Sequence, residues 1–220
     1  MKVAILGKIL KSEPTEYITK IIPLLEKKKV SVFLEFEYFK SLNGFVSESV
    51  SSFKELDKSF DLLISIGGDG TILKAITFVK DLSIPIVGVN TGRLGFLAKI
   101  QIENIEQVIE EIILKNYSVS ERTLIEVSTS ETNQQLSKLN FALNEITLSR
   151  KNTTSMISID TKLDNKHLNS YWADGLIIST PTGSTGYSLS CGGPIIMPEA
   201  ENLIINPIAP HNLNARPLII

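Results

Sequence analysis

Ile64-Ser65-Ile66-Gly67-Gly68-Asp69-Gly70-Thr71 is the stretch on which the fold turns. An aliphatic run, 62–66, meets three glycines, one carboxylate and one hydroxyl, and the helical run 72–79 follows at once. A short apolar strand delivered straight into a helix is the unit of an α/β sheet, whose strand carboxyl ends are where ligands bind. Glycines let the backbone approach phosphates closely, and the helix behind them offers free N–H groups and the positive end of its dipole. Asp69 would face such phosphates, which makes sense if it binds a divalent cation or orients an attacking hydroxyl. The alternative is a glycine-rich turn with Asp69 capping the helix, and the residues alone leave both open.

Working outward, the runs 3–6, 30–34 and 84–89 are brief, aliphatic or β-branched, and bounded by Gly, Lys or Asp, as buried parallel strands are. Residues 104–114 read as a helix, with Ile105, Val108, Ile109, Ile112 and Ile113 on one face. Residues 16–27 read as another, which Pro23 should break or kink. Beyond Lys115 the pattern changes. Runs 124–128, 141–148, 156–160 and 176–179 are strand-like, with Asp164-Asn165 as a turn, no amphipathic helix is evident, and 131–138 reads as an exposed polar loop. The expectation is an α/β domain over 1–116 and an all-β domain over 117–220.

Composition bounds the function. The 220 residues are 43% hydrophobic and 21% charged with a formal net charge of -2, the balance of a soluble globular protein with no basic field for nucleic acid. Cys191 is the one cysteine and His167 and His211 are the two histidines, so neither an internal disulfide nor a Cys/His zinc cluster is expected, and a cytoplasmic setting fits best. No stretch is long and apolar enough for a bilayer span, and the first residues lack the features of a signal peptide.

A second concentration of glycines and hydroxyls follows the strand-like run 176–178: Thr180-Pro181-Thr182-Gly183-Ser184-Thr185-Gly186-Tyr187-Ser188-Leu189-Ser190. Its amides and hydroxyls suit phosphate, ribose or an adenine edge, and Tyr187 can stack; a structural loop is the plainer reading. Asn144-Glu145 and Asp174 are polar residues within apolar strands and need partners if buried; strand ends or bulges open to solvent would explain them too. There is no Gly-x-x-x-x-Gly-Lys-Ser/Thr loop and no Gly-x-Ser-x-Gly elbow. Cys191 before Gly192-Gly193-Pro194 is a poor nucleophile candidate with two distant histidines.

In order, Gly67-Gly68-Asp69-Gly70-Thr71, Asn90-Thr91-Gly92-Arg93-Leu94-Gly95-Phe96-Leu97, Asn144-Glu145 and Asp174-Gly175-Leu176-Ile177-Ile178 running into the 180–190 stretch resemble the motif set of the bacterial NAD kinases. Pro207-Ile208-Ala209-Pro210-His211 and Ala215-Arg216-Pro217-Leu218 resemble that family's next block. Diacylglycerol and sphingosine kinases and phosphofructokinases carry similar glycine-Asp-glycine turns, so the combination is what is specific.

The resemblance implies a phosphofructokinase-like α/β domain, a β-sandwich-like second domain and an active site in the cleft between them. It implies phosphorylation of NAD on the 2′-hydroxyl of its adenosine ribose by ATP or another donor, with Mg²⁺. Asp69 would be the proton acceptor; Gly67, Gly68, Gly70 and Thr71 would cradle phosphates, with Lys74 nearby and Phe96 lining the site. Asn144 and Glu145 would hold a ribose, and Asp174, Thr182, Ser184, Thr185, Gly186, Tyr187, Ser188, Leu189 and Ser190 the remaining parts of the dinucleotide. A homo-oligomer, dimer or tetramer, is implied, with His211 a candidate for a residue reaching a neighbouring subunit.

Three departures stand out. Gly186 takes the place of a common alanine, Trp172 stands where several relatives carry a basic residue, and the chain stops at Ile220, where relatives continue; the last strands of the β domain are expected to be missing. The rivals are a lipid kinase of the diacylglycerol type, which needs a more apolar pocket and no Asn144-Glu145 pair, and a non-catalytic dinucleotide-binding protein.

Overall fold

The computed structural model describes residues 1–7, 16–42, 44–93, 95–130, 134, 136, 139–152 and 154–220. They form two compact units, Met1–Val119 and Ser120–Ile220. The loop expected at 131–138 lies mostly outside the described residues.

In the first unit β1 (Lys2–Gly7), α1 (Glu16–Lys27), β2 (Ser31–Glu35), α2 (Phe36–Ser41), β3 (Ser51–Phe53), β4 (Leu62–Gly67), α3 (Asp69–Val79) and β5 (Ile86–Asn90) are followed by a 3₁₀ turn, Ile102–Asn104, and α4 (Ile105–Ile113). The strands make one parallel sheet in the order β3-β2-β1-β4-β5. Its central strands, β1 and β4, read as near-continuous aliphatic runs because both faces are covered. Ile18, Ile21, Ile22 and Leu25 of α1 and Ile105, Ile109 and Ile112 of α4 join Val3, Ile5, Ile64 and Ile66 on one side. Ala75 and Val79 of α3 join Ala4, Leu6 and Leu63 on the other. All six residues of β4 are buried, each large aliphatic one contributing about 1.5–3 kcal/mol relative to exposure.

Two local features differ from expectation. Helix α1 runs unbroken through Pro23. Pro23 and Thr19 lie on its exposed side, so the carbonyl that loses its helical partner can turn to water while the apolar face stays packed. Helix α2 was not foreseen; it starts where the Glu35 side chain accepts the Tyr38 N–H at 3.0 Å.

The strand order reverses between β1 and β4, since successive strands grow outward from β1 to β2 and β3 on one side and from β4 to β5 on the other. At such a switch point the connections leave in opposite directions and open a crevice at the carboxyl ends. The Gly67–Thr71 turn issues from β4 at that place.

The second unit holds β6 (Ile125–Glu126), β7 (Phe141–Ala142), β8 (Glu145–Ser149), β9 (Ile157–Leu163), β10 (Lys166–Ala173), β11 (Gly175–Ser179), a 3₁₀ turn (Thr182–Thr185), α5 (Tyr187–Ser190), β12 (Ile204–Ile208) and β13 (Leu218–Ile219). The all-β expectation therefore needs correcting at 182–190, where successive small polar residues wind into helical turns. The run 141–148 is also two strands, interrupted at Leu143 and Asn144. A four-stranded antiparallel sheet, β13-β12-β11-β8, packs Leu176 and Ile205 against Tyr171 and Ala173 of the β9–β10 hairpin. Asp164 and Asn165 join that hairpin with φ of 49° and 65°, the paired positive values that match a two-residue turn to strand twist.

Candidate functional site

In the first unit the glycine turn is shaped by close approach. A Cβ on Gly67, whose φ is 157°, would collide with the Thr71 side chain. Gly68 is the N-cap of α3 and brings no side-chain hydrogen bond, so no side chain competes for the amides at the helix start. Gly70 has open space where a methyl group would stand. Asp69 is the first residue of the helix rather than its cap, which removes the capping alternative. Its carboxylate points instead to the segment after β5: Oδ2 accepts the Phe96 N–H at 2.8 Å, and Oδ1 accepts those of Leu97 and Ala98, each at 3.0 Å.

Phe96 is thus brought beside Asp69 through its backbone, while its side chain is 61% exposed. Lys74 lies one turn further along α3, and its Nζ stands 3.8 Å from Oε2 of the buried Glu35. An anion at the turn would compete with that carboxylate for the ammonium.

In the second unit the turn 180–186 is built on the backbone of the β7–β8 interruption. Thr180 donates its hydroxyl to the Leu143 carbonyl and accepts the Gly183 N–H at 3.1 Å. The Thr180 N–H donates to the Asn144 carbonyl at 2.9 Å, and a Cβ on Gly183 would overlap that same carbonyl. Ser184 Oγ is tied to Ile196, accepting its N–H at 3.1 Å. Ser188 is buried and held by Asn206, whose Nδ2 donates to its carbonyl at 2.9 Å and its Oγ at 3.2 Å.

Glu145 sits beside this turn. Burial pushes its carboxyl above the usual carboxylate range, with the Tyr187 backbone N–H opposing the shift. Its Oε2 and Thr182 Oγ1 are buried with no partner among the described residues. A methyl on Gly186 would come within 3.0 Å of that Oε2, so glycine here gives the carboxylate room that alanine would take. The Tyr187 phenol is pushed up by the Cys191 thiol beside it, then by desolvation. Thr185, Leu189 and Ser190 complete the turn, the last two exposed.

Asp174 lies between β10 and β11, with Oδ1 3.0 Å from Arg150 Nη1. The His211 and Trp172 rings lie 4.4 Å apart between centres, tilted by 49°, and the His211 backbone N–H donates to the Trp172 carbonyl. The candidate residues of each unit are thus gathered, Gly67 to Lys74 with Phe96 in one and Asn144 to Ser190 with Asp174 in the other. Sequence reasoning missed Arg150 entirely. Its signal is the pairing of β8 with β11, which sets Ser149 opposite Gly175 and so Arg150 next to Asp174. Among the described residues no helix is long and apolar enough to cross a membrane.

Comparison with known proteins agrees over both units. The family description "ATP-NAD kinase N-terminal domain" matches residues 4–117, and "ATP-NAD kinase C-terminal domain" matches residues 143–220. A NAD kinase of Christiangramia forsetii is 53% identical over 225 residues, spanning 100% of this chain and 76% of the relative. A NAD kinase of Bacteroides fragilis is 44% identical over 223 residues, with the same coverage. Among solved structures, yeast NADH kinase complexed with NADH superposes with a TM-score of 0.86 at 27% identity, covering 100% of this chain and 69% of the other. A NAD kinase from Archaeoglobus fulgidus in complex with ATP gives 0.73 at 28%, covering 100% and 77%.

Proposed function

Since this chain belongs to the ATP-NAD kinase family, we propose that it transfers a phosphoryl group from ATP to NAD, on the 2′-hydroxyl of the adenosine ribose, to give NADP. The observation that carries the reading is two buried acceptors with no partner among the described residues, Thr182 Oγ1 on the turn and Glu145 Oε2 beside it. Buried polar atoms need partners, and the hydroxyls of a ribose are donors of the right kind. Relatives named NAD kinase and a solved relative holding NADH support the same acceptor.

Phosphoryl transfer asks the protein mainly for positioning and charge neutralisation. In this reading Gly67, Gly68, Gly70 and Thr71 receive triphosphate oxygens, with Lys74 exchanging Glu35 for phosphate. Asp69 takes the proton of the 2′-hydroxyl. Its Oδ1 already accepts two amides and its Oδ2 one, so Oδ2 is the oxygen with capacity for the hydroxyl. Asn144 and Glu145 hold the ribose, and Asp174 with the turn 182–190 holds the rest of the dinucleotide. Arg150 keeps the Asp174 carboxylate from standing as an unpaired charge.

Among the described residues no three His, Cys, Asp or Glu side chains gather to hold a metal. Mg²⁺ is read as part of the donor substrate, carried by phosphate oxygens and water. A cytoplasmic location and a homo-oligomer with His211 at a subunit contact belong to the same proposal, resting on the single cysteine and on the motif likeness.

The test is formation of NADP from NAD and magnesium ATP by the purified chain, followed with an NADP-dependent dehydrogenase. NAD binding without NADP formation would leave a non-catalytic dinucleotide-binding protein. Phosphorylation of diacylglycerol in place of NAD would give the lipid kinase reading instead.

A further inference from the structure

We propose that Asn90 is a positioning residue for the transfer, acting through the segment after β5 on Asp69 and Phe96. The inference rests on the kinase reading above. At the carboxyl ends of two neighbouring strands, Gly67 of β4 and Asn90 of β5 are register partners.

Asn90 is 6% exposed, and among the described residues its side chain bonds to the backbone that follows it. Oδ1 accepts the Gly92 N–H at 2.7 Å, while Nδ2 donates to the carbonyls of Arg93 at 2.9 Å and Ala98 at 3.1 Å. The base of the segment is closed by the Asn90 N–H donating to Ile100 at 2.7 Å and the Ile100 N–H donating to Gly88 at 3.1 Å. Asp69 grips the same segment from β4's side through the amides of Phe96, Leu97 and Ala98. Ala98 is held twice, its carbonyl by Asn90 and its N–H by Asp69.

Two carbonyls that need donors and one N–H that needs an acceptor are met by a single neutral amide of this length. Asp at position 90 would set an acceptor against two acceptors and bury a charge. Loss of the Asn90 amide frees the inner side of the segment, so the amides that orient the Asp69 carboxylate, and the Phe96 ring carried with them, lose their fixed places. A small displacement of reacting groups is enough to cost roughly a hundredfold in rate.

The experiment uses Asn90→Ala and Asn90→Asp, each alone and combined with Asp69→Asn. A third variant, Gly92→Pro, removes one hydrogen bond to Asn90 at an exposed position with open space around it, and keeps the test valid should the buried substitutions fail to fold. The expected result is a fall in kcat of roughly 10- to 100-fold for the two Asn90 variants, a smaller fall for Gly92→Pro, little change in the KM for ATP, and faster amide exchange at Phe96, Leu97 and Ala98. In the Asp69→Asn background, Asn90→Ala should add almost nothing, because residues acting as one unit are not additive. Unchanged kcat in the folded variants, or losses that multiply in the double variant, would overturn the role of Asn90. Full activity of Asp69→Asn alone would instead overturn the reading of the site on which it rests.

Discussion

Gly95 faces the Asp69 carboxylate so closely that a Cβ on it would overlap the carboxylate atoms. The glycine is thus required by the carboxylate's place, and the carboxylate in turn fixes the three residues that follow. Gly95→Ala should push Asp69 off the amides of Phe96 to Ala98. We expect a loss of roughly a hundredfold in kcat, with a stability cost of about 1–3 kcal/mol for the added methyl. Steady-state kinetics beside a denaturant titration checks this; wild-type kcat would show that Asp69 need not sit where it does.

Asp69→Asn separates proton acceptance from loop anchoring. The amide oxygen can still take the N–H groups of Leu97 and Ala98, but its NH₂ would then meet the Phe96 N–H, donor against donor. Loss of general-base help typically costs roughly 10²- to 10⁴-fold, and NAD binding by calorimetry should stay close to that of the parent. A variant that keeps more than about a tenth of parental turnover, well short of that expected loss, would make Asp69 an anchor of the loop and nothing more.

Glu145 gives a pH-dependent outcome. Its carboxyl is raised by burial, so the fold favours the protonated form. The associated stability is complete below the ordinary glutamate value of about 4.3 and is lost as pH rises through the higher folded value. Glu145→Gln should therefore raise the melting temperature at neutral pH, with a benefit that shrinks as the solution is made acidic. The same substitution should weaken NAD binding, since one of two acceptor oxygens becomes a donor. Melting curves from pH 4 to 8 would count against this if the gain were constant across the range.

Tyr171 is fully buried in the core of the second unit, and its hydroxyl has no partner among the described residues. Burying an unpaired hydroxyl costs about 1–3 kcal/mol. Tyr171→Phe should be neutral or stabilising by up to that amount in urea unfolding. A clear loss of stability would reveal a partner for the hydroxyl, such as a buried water.

Much of the first unit was legible because its strands are aliphatic on both faces and its helices carry one apolar stripe. Legibility failed where burial is one-sided or the element is short. Strand β10, Lys-His-Leu-Asn-Ser-Tyr-Trp-Ala, buries only Tyr171 and Ala173 completely, so its polar half masks it. Strand β12 contains Pro207, a residue that argues against a strand interior, and β3 is three residues long. The glycine turn was placed correctly on the strand–helix junction. What Asp69 touches was hidden, because its partners are backbone amides nearly thirty residues away and backbone atoms leave no mark in a sequence. Arg150 was hidden for a related reason: only strand pairing brings it to Asp174.

The grip on residues 96–98 has an evolutionary side. Every group that Asp69 holds there is a main-chain N–H, which all amino acids except proline possess. At the exposed position 96 the path of the chain is thus independent of the side chain displayed, whereas Ala98 is fully buried and held to a small side chain. Phe96, the most outward of the three, could be exchanged for another aromatic, an aliphatic or a polar residue with its backbone still seated. A proline at position 96, or any Cβ at Gly95, breaks the seat. The tip is in this sense an exchangeable tool on a fixed handle, free to be refitted while the handle stays the same.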